Sequence, residues 1–406
     1  MNTLLLALIR ALRSHGWLRF LGFAYILSSL GNGLTQVIVF GQLLHWHASA
    51  ATLTLVYMLS MLPGFIGSLW GEALCNTVSP LRILIFTEIL GLLGLVFPLY
   101  GLLYHNIPAL LAVQCWEALF TGMSYPALIL LFKRGLHHEE LPAATAMETL
   151  LFASQVLLGT RLGVLLFDRV SLTDLLAIDA LSFVASITLL LVSASVFQAI
   201  TMQSENTPPV TQKLLWRCLS LQKRSVMLLP ALAALGSPAM ALLPALAQEI
   251  SPQDSAGLAL PLIFARSLGQ LCGPLILDAS KLQHYSTKNG LLLLCLSGYI
   301  GSYFLLPVTA GFPFAGLVII FIAHMASNIV FALGTFGVLK NFADTQVAKA
   351  SAMTWRAQVL VATGSTGITS VIAHNVGAIT ALYSISIFSL RSIGIWLWFT
   401  RPRRTN

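Results

Sequence analysis

The chain has 406 residues, of which 57% are hydrophobic and only 9% are charged, and its mean hydropathy is +0.85. This composition excludes a soluble domain of ordinary size, and the apolar stretches described below leave no room for an appended catalytic domain. The net charge of +8 would suggest nucleic acid as the partner of a soluble protein. Here most basic residues lie in the loops between apolar stretches, so we expect no nucleic-acid partner.

The first predicted element is a short amphipathic helix within residues 1–16. Its apolar run from Leu4 to Ile9 is too short for a signal-peptide core and leads into Arg10 and Arg13. We therefore expect this segment to lie on the cytoplasmic surface of the membrane.

Twelve apolar stretches follow, each of about 18 to 27 residues, which lets a helix cross a hydrocarbon core of roughly 30 Å. The predicted spans are residues 17–44, 51–74, 82–104, 108–132, 142–167, 174–199, 223–247, 255–279, 287–308, 313–339, 346–372 and 377–400. The polar segment 200–222 is predicted to be a cytoplasmic linker between a first half, 17–199, and a second half, 223–400, and 401–406 to be a basic cytoplasmic tail. The sequence thus predicts an all-α integral membrane protein with two six-helix halves.

Short sequences recur between the two halves. The segments Gly67 to Gly71 and Gly269 to Gly273 both read Gly-x-Leu-x-Gly, and Ala-Thr-Ala-Met at 144–147 corresponds to Ala-Ser-Ala-Met at 350–353. Both displacements correspond to six spans, so the halves should have the same orientation. We therefore expect parallel repeats about an axis along the membrane normal.

The distribution of basic residues predicts the orientation. With a cytoplasmic N-terminus, 17 of the 22 Lys and Arg residues fall on the cytoplasmic side, and only Arg169 falls opposite. This asymmetry predicts a multi-pass protein with both termini in the cytoplasm, and the short outer loops suit a bacterial inner membrane. The five cysteines have no paired spacing, so neither a disulfide framework nor a metal site is expected.

Several segments carry a family resemblance. They are Ser28 to Gly33 in the first span, Leu141 to Met147 entering the fifth, and Ile178 to Phe183 in the sixth. With the twelve spans in two halves, they resemble the major facilitator superfamily, in particular the branch of the enterobactin exporter and macrolide efflux proteins. There is also some likeness to transporters encoded near aerobactin synthesis. The resemblance implies the major facilitator fold and alternating access to a midplane site.

Two motifs of that family are altered here. After the second span, Asn76 and Thr77 stand where the family has Asp and Arg, which weakens a charged cytoplasmic latch. In the fifth span, the antiporter motif Gly-Pro-x-x-Gly-Gly is replaced by Gly-Thr-Arg-Leu-Gly-Val at 159–164, which retains only two of its four marker residues. The resemblance assigns gating roles to Gly67, Gly71, Asn76, Arg82, Gly159 and Gly163.

Polar residues inside the spans are the first candidates for a site, since a charge at mid-membrane costs roughly 2.5 to 3.5 kcal/mol on insertion scales. By the resemblance, the first, fourth, seventh and tenth spans line a central cavity, assisted by the second, fifth, eighth and eleventh. Polar residues recur at helical spacing on these spans and predict a water-filled path. The candidate substrate-binding residues are Asn32, Gln36, Gln114, Arg266, His324, Asn328 and Arg356.

Each charged candidate has a functional and a structural interpretation. Arg266, near the middle of its span, is suited to clamp a carboxylate. Glu117 and Glu148 are candidate proton-coupling residues whose protonation would change pairing with Arg266 or Arg356. The structural alternative is a set of internal ion pairs, including one between Glu148 and Arg356, with His324 as a packing residue.

Three further charged residues, Glu88, Asp179 and Arg391, fall on supporting spans and are interpreted as structural. Arg161, Asp168 and Arg169 lie toward the outer end of the fifth span, where a gate or an interfacial ion pair is expected.

The predicted function is a secondary active transporter that exports a small organic molecule, in particular an anionic siderophore of the citrate-hydroxamate type such as aerobactin. A multidrug or macrolide efflux pump is the alternative within the same class, and a non-transporting membrane sensor is the alternative from another class. The sequence has no catalytic or phosphate-binding motif, so we expect no enzyme activity, no metal and no cofactor, and energy from a proton gradient. The expected partners are the substrate and the lipid bilayer; the chain is expected to be a monomer, and a periplasmic or outer-membrane efflux partner is left open.

Overall fold

The structure, a computed structural model, describes residues 2–47, 50–167, 169–201, 220–250, 255–309 and 312–399. Most of the predicted linker, the basic tail and Asp168 lie outside the described residues. Within them the fold is almost wholly helical, and ten segments are long and apolar enough to cross a membrane.

The helices of the twelve predicted spans are, in chain order, Gly16–His45; Ala50–Leu59 with Pro63–Leu74; Pro80–Gly94 with Val96–Leu103; Ile107–Gly135; Leu141–Ser154 with the π-helix Gln155–Thr160 and Arg161–Leu166; Leu172–Thr201; Ser220–Ile250; Ser255–Leu275; Asn289–Leu305 with the 3-10 helix Leu306–Thr309; Pro313–Asn341; Asp344–Val376; and Ala378–Phe399. They are called the first to twelfth spans below. Two short helices, Ala279–Lys281 and Leu282–Thr287, lie between the eighth and ninth spans. The second span, which consists of two separate helices, and the eighth span, whose first side chains are not described, are not among the ten.

Proline explains the breaks in the second, third and ninth spans. Pro63, Pro98 and Pro307 cannot donate a backbone hydrogen bond, and each ring crowds the carbonyl four residues earlier. Accordingly one helix ends at Leu59, another at Gly94, and the ninth span becomes a 3-10 helix from Leu306.

Glycines bring helices together inside each half. A Cβ on Gly67 would clash with the carbonyl oxygen of Leu119, and one on Gly71 with that of Met123, so the second span packs closely on the fourth. The repeat-related Gly269 contacts the backbone of the tenth span in the same way at Phe321. The Gly-x-Leu-x-Gly repeat is therefore a repeated helix-packing surface.

An N-terminal helix, Leu4–Ser14, precedes the first span. Its buried residues Leu4, Leu8 and Ala11 lie on one face, which packs against the start of the fifth span. The helix is capped by Thr3, whose hydroxyl accepts a hydrogen bond from the backbone N–H of Leu6. Its buried face thus lies on the protein itself.

The same helix links the two halves. The backbone N–H of Leu4 donates to the carbonyl oxygen of Leu277 at 2.9 Å, and that of Ala279 donates to Asn2 at 2.7 Å. At its other end the His15 ring lies 2.9 Å from a carboxylate oxygen of Glu140. We call this side of the molecule the basic face. It carries the loops 75–79, 136–140, 276–288 and 342–343, and the basic residues in or beside them are Arg82, Lys133, Arg134, Lys281, Lys288 and Lys340.

Candidate functional site

Further contacts between the halves lie on or near the basic face. Lys133, at the end of the fourth span, donates to the carbonyl oxygen of Leu339 at 2.8 Å, and Lys340 contacts the ring of His138. Together with the N-terminal helix, these contacts hold the halves against each other on this side.

Arg356 and Glu72 form an ion pair between the halves, with a nitrogen-to-oxygen distance of 2.8 Å. Both side chains are mostly buried, with exposed fractions of 15% and 23%. The structural alternative that pairs Arg356 with Glu148 is therefore wrong for this conformation. The eleventh span packs on the second, whereas the fifth span carries Glu148 toward the eighth and tenth.

Glu148 lies at the boundary between the halves. Its carboxylate is beside Thr335 of the tenth span and Tyr125 of the fourth, and its Oε2 atom has no hydrogen-bond partner. The neighbouring hydroxyl groups can each donate or accept a hydrogen bond. This environment therefore accommodates the carboxyl group both protonated and ionised.

Two aromatic pairs join the spans that carry Glu148 and its neighbours Tyr125 and Thr335 to each other and to the eleventh span. The rings of Tyr125 and Trp355 lie 4.8 Å apart across the halves, and those of Phe152 and Phe331 lie 5.8 Å apart. These pairs belong to the fourth and eleventh spans and to the fifth and tenth spans. These pairs could not be predicted from the sequence, because a single aromatic residue in an apolar span has no distinguishing pattern.

Arg266 lies inside the second half. Its charge acts on Tyr303 and His324, and its Nε atom is buried without a hydrogen-bond partner. His324 is 1% exposed, and its Nε2 atom lies 2.9 Å from the Tyr303 hydroxyl oxygen. The structure thus brings these two predicted residues together, in a cluster with Tyr303.

The remaining candidate of the tenth span is tied to its own half. Asn328 donates from Nδ2 to the carbonyl oxygen of Gln270 at 2.8 Å. This bond joins the eighth and tenth spans.

In the first half, the polar candidates of the first and fourth spans include several unpartnered atoms. Asn32 Oδ1, Gln114 Nε2 and Glu117 Oε1 are buried and have no hydrogen-bond partner, and Gln36 is partly buried. Glu117 is close enough to Asp179 for their charges to interact.

Glu88 of the third span and Asp179 of the sixth are buried carboxylates that accept side-chain hydrogen bonds. Asp179 accepts hydrogen bonds from Thr35 and Ser182, and Glu88 accepts one from Ser28 at 3.1 Å. Asp179 forms no ion pair within the described part of the chain. These hydrogen bonds join the supporting spans to the first span.

The predicted gating residues fall within the first half. Gly159 packs on Gly33 of the first span, where a Cβ would lie 2.8 Å from the Gly33 Cα, and Gly163 packs on Val37. Asn76, in the turn after the second span, donates to the carbonyl oxygen of Glu72 in that span, and the side chain of Arg82 is exposed. Their gating role stays a prediction.

Arg161 lies between the halves, on the fifth span. Its guanidinium carbon is 4.4 Å from the centre of the Phe264 ring of the eighth span, and the two residues line a cavity of about 400 Å³. The remaining walls are Thr160, Val164, Leu165, Pro261 and Ile263.

The described residues contain no group of three or more His, Cys, Asp or Glu side chains that could hold a metal ion. Cys75 follows the second span, and its burial raises the pKa of the thiol to about 12. That thiol is therefore protonated at neutral pH, which disfavours it as a metal ligand or nucleophile.

Comparison with family models gave no match. An uncharacterized 29.9 kDa protein in the crtE 3' region of Pseudescherichia vulneris is 63% identical over 71 residues, which are 18% of this chain and 26% of that protein. The chain thus matches only about a quarter of the length of that curated relative.

Solved structures match almost the whole chain at low sequence identity. The structure of the human organic anion transporter MFSD10 matches with a TM-score of 0.66 at 11% identity. The match covers 95% of this chain and 98% of the MFSD10 chain. A bacterial homologue of the iron transporter ferroportin, in an outward-facing state, has a TM-score of 0.69 at 11% identity and covers 94% and 98%. The fucose–proton symporter of E. coli has a TM-score of 0.62 at 14% identity and covers 95% and 98%. The chain therefore has the fold of the major facilitator superfamily.

Proposed function

We propose that this chain is a proton-coupled secondary transporter that exports a small organic anion by alternating access. The observation that carries the proposal is Glu148, an intramembrane carboxyl group at the boundary between the two halves. Rocking of one half against the other changes the surroundings of a residue at such a boundary. Protonation of Glu148 would favour one arrangement over the other and so couple a proton to the movement.

The contacts between the halves indicate which side of the transporter is closed in this conformation. They include the Glu72–Arg356 ion pair, the Lys133 hydrogen bond and the N-terminal helix, all toward the basic face. If that face is cytoplasmic, as the positive-inside pattern predicts, the arrangement is closed to the cytoplasm. The ferroportin homologue to which the chain is similar was solved in an outward-facing state.

We further propose an anionic siderophore of the citrate-hydroxamate type, such as aerobactin, as the substrate. Arginine supports this choice, because its guanidinium group binds carboxylates through paired charge-assisted hydrogen bonds. Arg266 has a buried donor without a partner, in a cluster with Tyr303 and His324. The resemblance of the fifth and sixth spans to the branch that includes the enterobactin exporter suggests a siderophore, and the buried positive charge of Arg266 disfavours the cationic substrates of a multidrug pump.

The test compares iron-chelating metabolites inside and outside iron-starved cells with and without this protein. We expect one chelator to accumulate in cells that lack it, with export restored by the wild type and not by Arg266→Ala. An Arg391→Ala variant, changed at an exposed position of the twelfth span, should restore export. Unchanged chelators with retention of a cationic drug would indicate a multidrug pump, and altered expression of other genes alone would indicate a sensor.

A further inference from the structure

The cavity beside Arg161 lies away from Glu148. Arg161 follows Glu148 by 13 residues on the fifth span, which corresponds to about 20 Å along a helix. The cavity has walls from both halves, with Thr160 and Arg161 on the fifth span and Phe264 on the eighth. Its volume of about 400 Å³ lies within the range of small-molecule sites.

Arg161 has unused hydrogen-bonding capacity. Its guanidinium group stacks over the Phe264 ring and forms no salt bridge with any described residue. A charge at membrane depth is costly, and such residues normally pair with an opposite charge or face a water-filled path. The stacking leaves the edge of the guanidinium plane available to an anion.

The departures from the antiporter motif coincide with this cavity. The two retained glycines, Gly159 and Gly163, pack on the first span, where a side chain would not fit. The replaced positions are Thr160 and Val164, and both line the cavity next to Arg161. The π-helix Gln155–Thr160 ends directly before Arg161, and such helices are frequent at functional sites. The chain thus differs from the family motif on the side that forms the cavity.

We infer that this cavity binds an amphipathic organic anion. Arg161 would bind a carboxylate, sulfonate or phosphate group through paired hydrogen bonds. Val164, Leu165, Pro261 and the Phe264 ring supply an apolar wall for the rest of the molecule. A dissolved organic anion and the headgroup of an anionic phospholipid share this chemistry. The inference goes beyond the export proposed above, since it uses neither Glu148 nor Arg266.

The binding test uses the full chain in phosphatidylcholine nanodiscs and two probes of the same shape. These are 2-naphthoate, which is an anion, and 2-naphthamide, which is neutral, with binding measured by isothermal titration calorimetry. We expect 2-naphthoate to bind the wild type at least about tenfold more tightly than the amide does, because only the anion can pair with the guanidinium charge.

Three variants locate the site. Arg161→Gln should weaken 2-naphthoate binding by about tenfold or more, and Phe264→Leu should weaken both probes by removing the ring. Arg391→Gln, at an exposed arginine of the twelfth span, should bind as the wild type does. Equal 2-naphthoate affinity in the wild type and Arg161→Gln would overturn the inference. If Arg161→Gln does not fold, the 2-naphthoate affinity of Arg161→Lys is measured in its place, since lysine keeps the charge but lacks the paired donors of the guanidinium group.

Phosphatidylglycerol nanodiscs distinguish the two sources of the anion. Retention of phosphatidylglycerol by the wild type and not by Arg161→Gln, measured by native mass spectrometry, would assign the site to a lipid headgroup. Binding of 2-naphthoate without such retention would assign it to a dissolved anion. If neither binds in an Arg161-dependent way, the inference is wrong. Chelator export is a separate measurement, so either proposal can fail alone.

Discussion

At the scale of single residues, the intramembrane charges are recognisable in the sequence, but their partners are not. Arg356 was recognisable as a charge that is costly to place within the membrane. Its partner Glu72, however, is 284 positions away and on the other half. Helical spacing relates neighbours within one helix only. Which helices meet across the halves is decided by tertiary packing, so the sequence suggested Glu148 as the partner and only the structure identifies Glu72.

The Glu72–Arg356 pair should contribute measurable coupling. Both side chains are mostly buried, so we expect a coupling free energy of about 1–2 kcal/mol, between the values of exposed and fully buried pairs. The measurement is a double-mutant cycle on unfolding in detergent, with Glu72→Gln, Arg356→Gln and the double variant. Additive effects of the two substitutions would contradict the interaction.

The contact of Glu140 with His15 predicts a pH dependence. Partial burial raises the pKa of Glu140, but hydrogen bonds from His15 and from the backbone N–H of His137 lower it by more, so the net pKa lies below its ordinary value of 4.5. A lowered folded pKa means that ionised Glu140 stabilises the docked N-terminal helix above the unfolded pKa. This contribution is lost as the pH falls through the folded pKa.

Spin-label mobility on the N-terminal helix, with the label at Arg10→Cys in a cysteine-free background, measures this dependence. Mobility should increase only below pH 4.5 in the wild-type background. It should be higher already at neutral pH with Glu140→Gln, whereas Glu139→Gln, at an exposed neighbour, should behave as the wild type. The same pH transition in Glu140→Gln would contradict the assignment.

At the scale of helices, the apolar runs were sufficient to predict the spans and the prolines explain their breaks. The π-helix at Gln155–Thr160 has no such signal, because it depends on how the fifth span packs on the first through Gly159 and Gly33. The docking of the N-terminal helix was likewise beyond the sequence, since its apolar face suits a membrane surface and a protein groove equally well.

Glycine substitutions test the packing of the second span on the fourth. Gly67→Ala should destabilise the protein by about 1–3 kcal/mol, because its Cβ would clash with the carbonyl oxygen of Leu119. Gly298→Ala is the matched control, since a Cβ there meets nothing within 4 Å. That variant should be neutral or stabilising by up to about 1 kcal/mol. Thermal unfolding in detergent compares the two, and equal stabilities would contradict the packing.

Leucine substitutions test the N-terminal helix. Leu8→Ser should weaken its docking, because Leu8 is 3% exposed and its burial is worth about 1.5–3 kcal/mol. Leu5→Ser changes a side chain that is 44% exposed and should have a smaller effect. The readout is the yield of a disulfide between Asn2→Cys and Ala279→Cys in a cysteine-free background. Equal yields in the two serine variants would contradict the assignment of the buried face.

At the scale of the whole molecule, the fold followed from the number of spans, their two halves and the repeated motif, because hydrophobic length and the Gly-x-Leu-x-Gly surfaces are both local features of the sequence. The site is assembled from both halves. Glu148 of the first half contacts Thr335 of the second half, and Arg161 of the first half stacks on Phe264 of the second half. Neither contact across the boundary can be predicted from one half alone. This position between the halves is the basis of our proposal that proton uptake at the boundary drives export.

Proteoliposomes with the purified chain test that claim most directly. The measurement is uptake of radiolabelled aerobactin with and without an acidic interior. We predict accumulation above equilibrium only with the acidic interior, and its loss in the Glu117→Gln, Glu148→Gln double variant, which cannot carry the protons. Accumulation that ignores the proton gradient, or that persists in the double variant, would contradict the account.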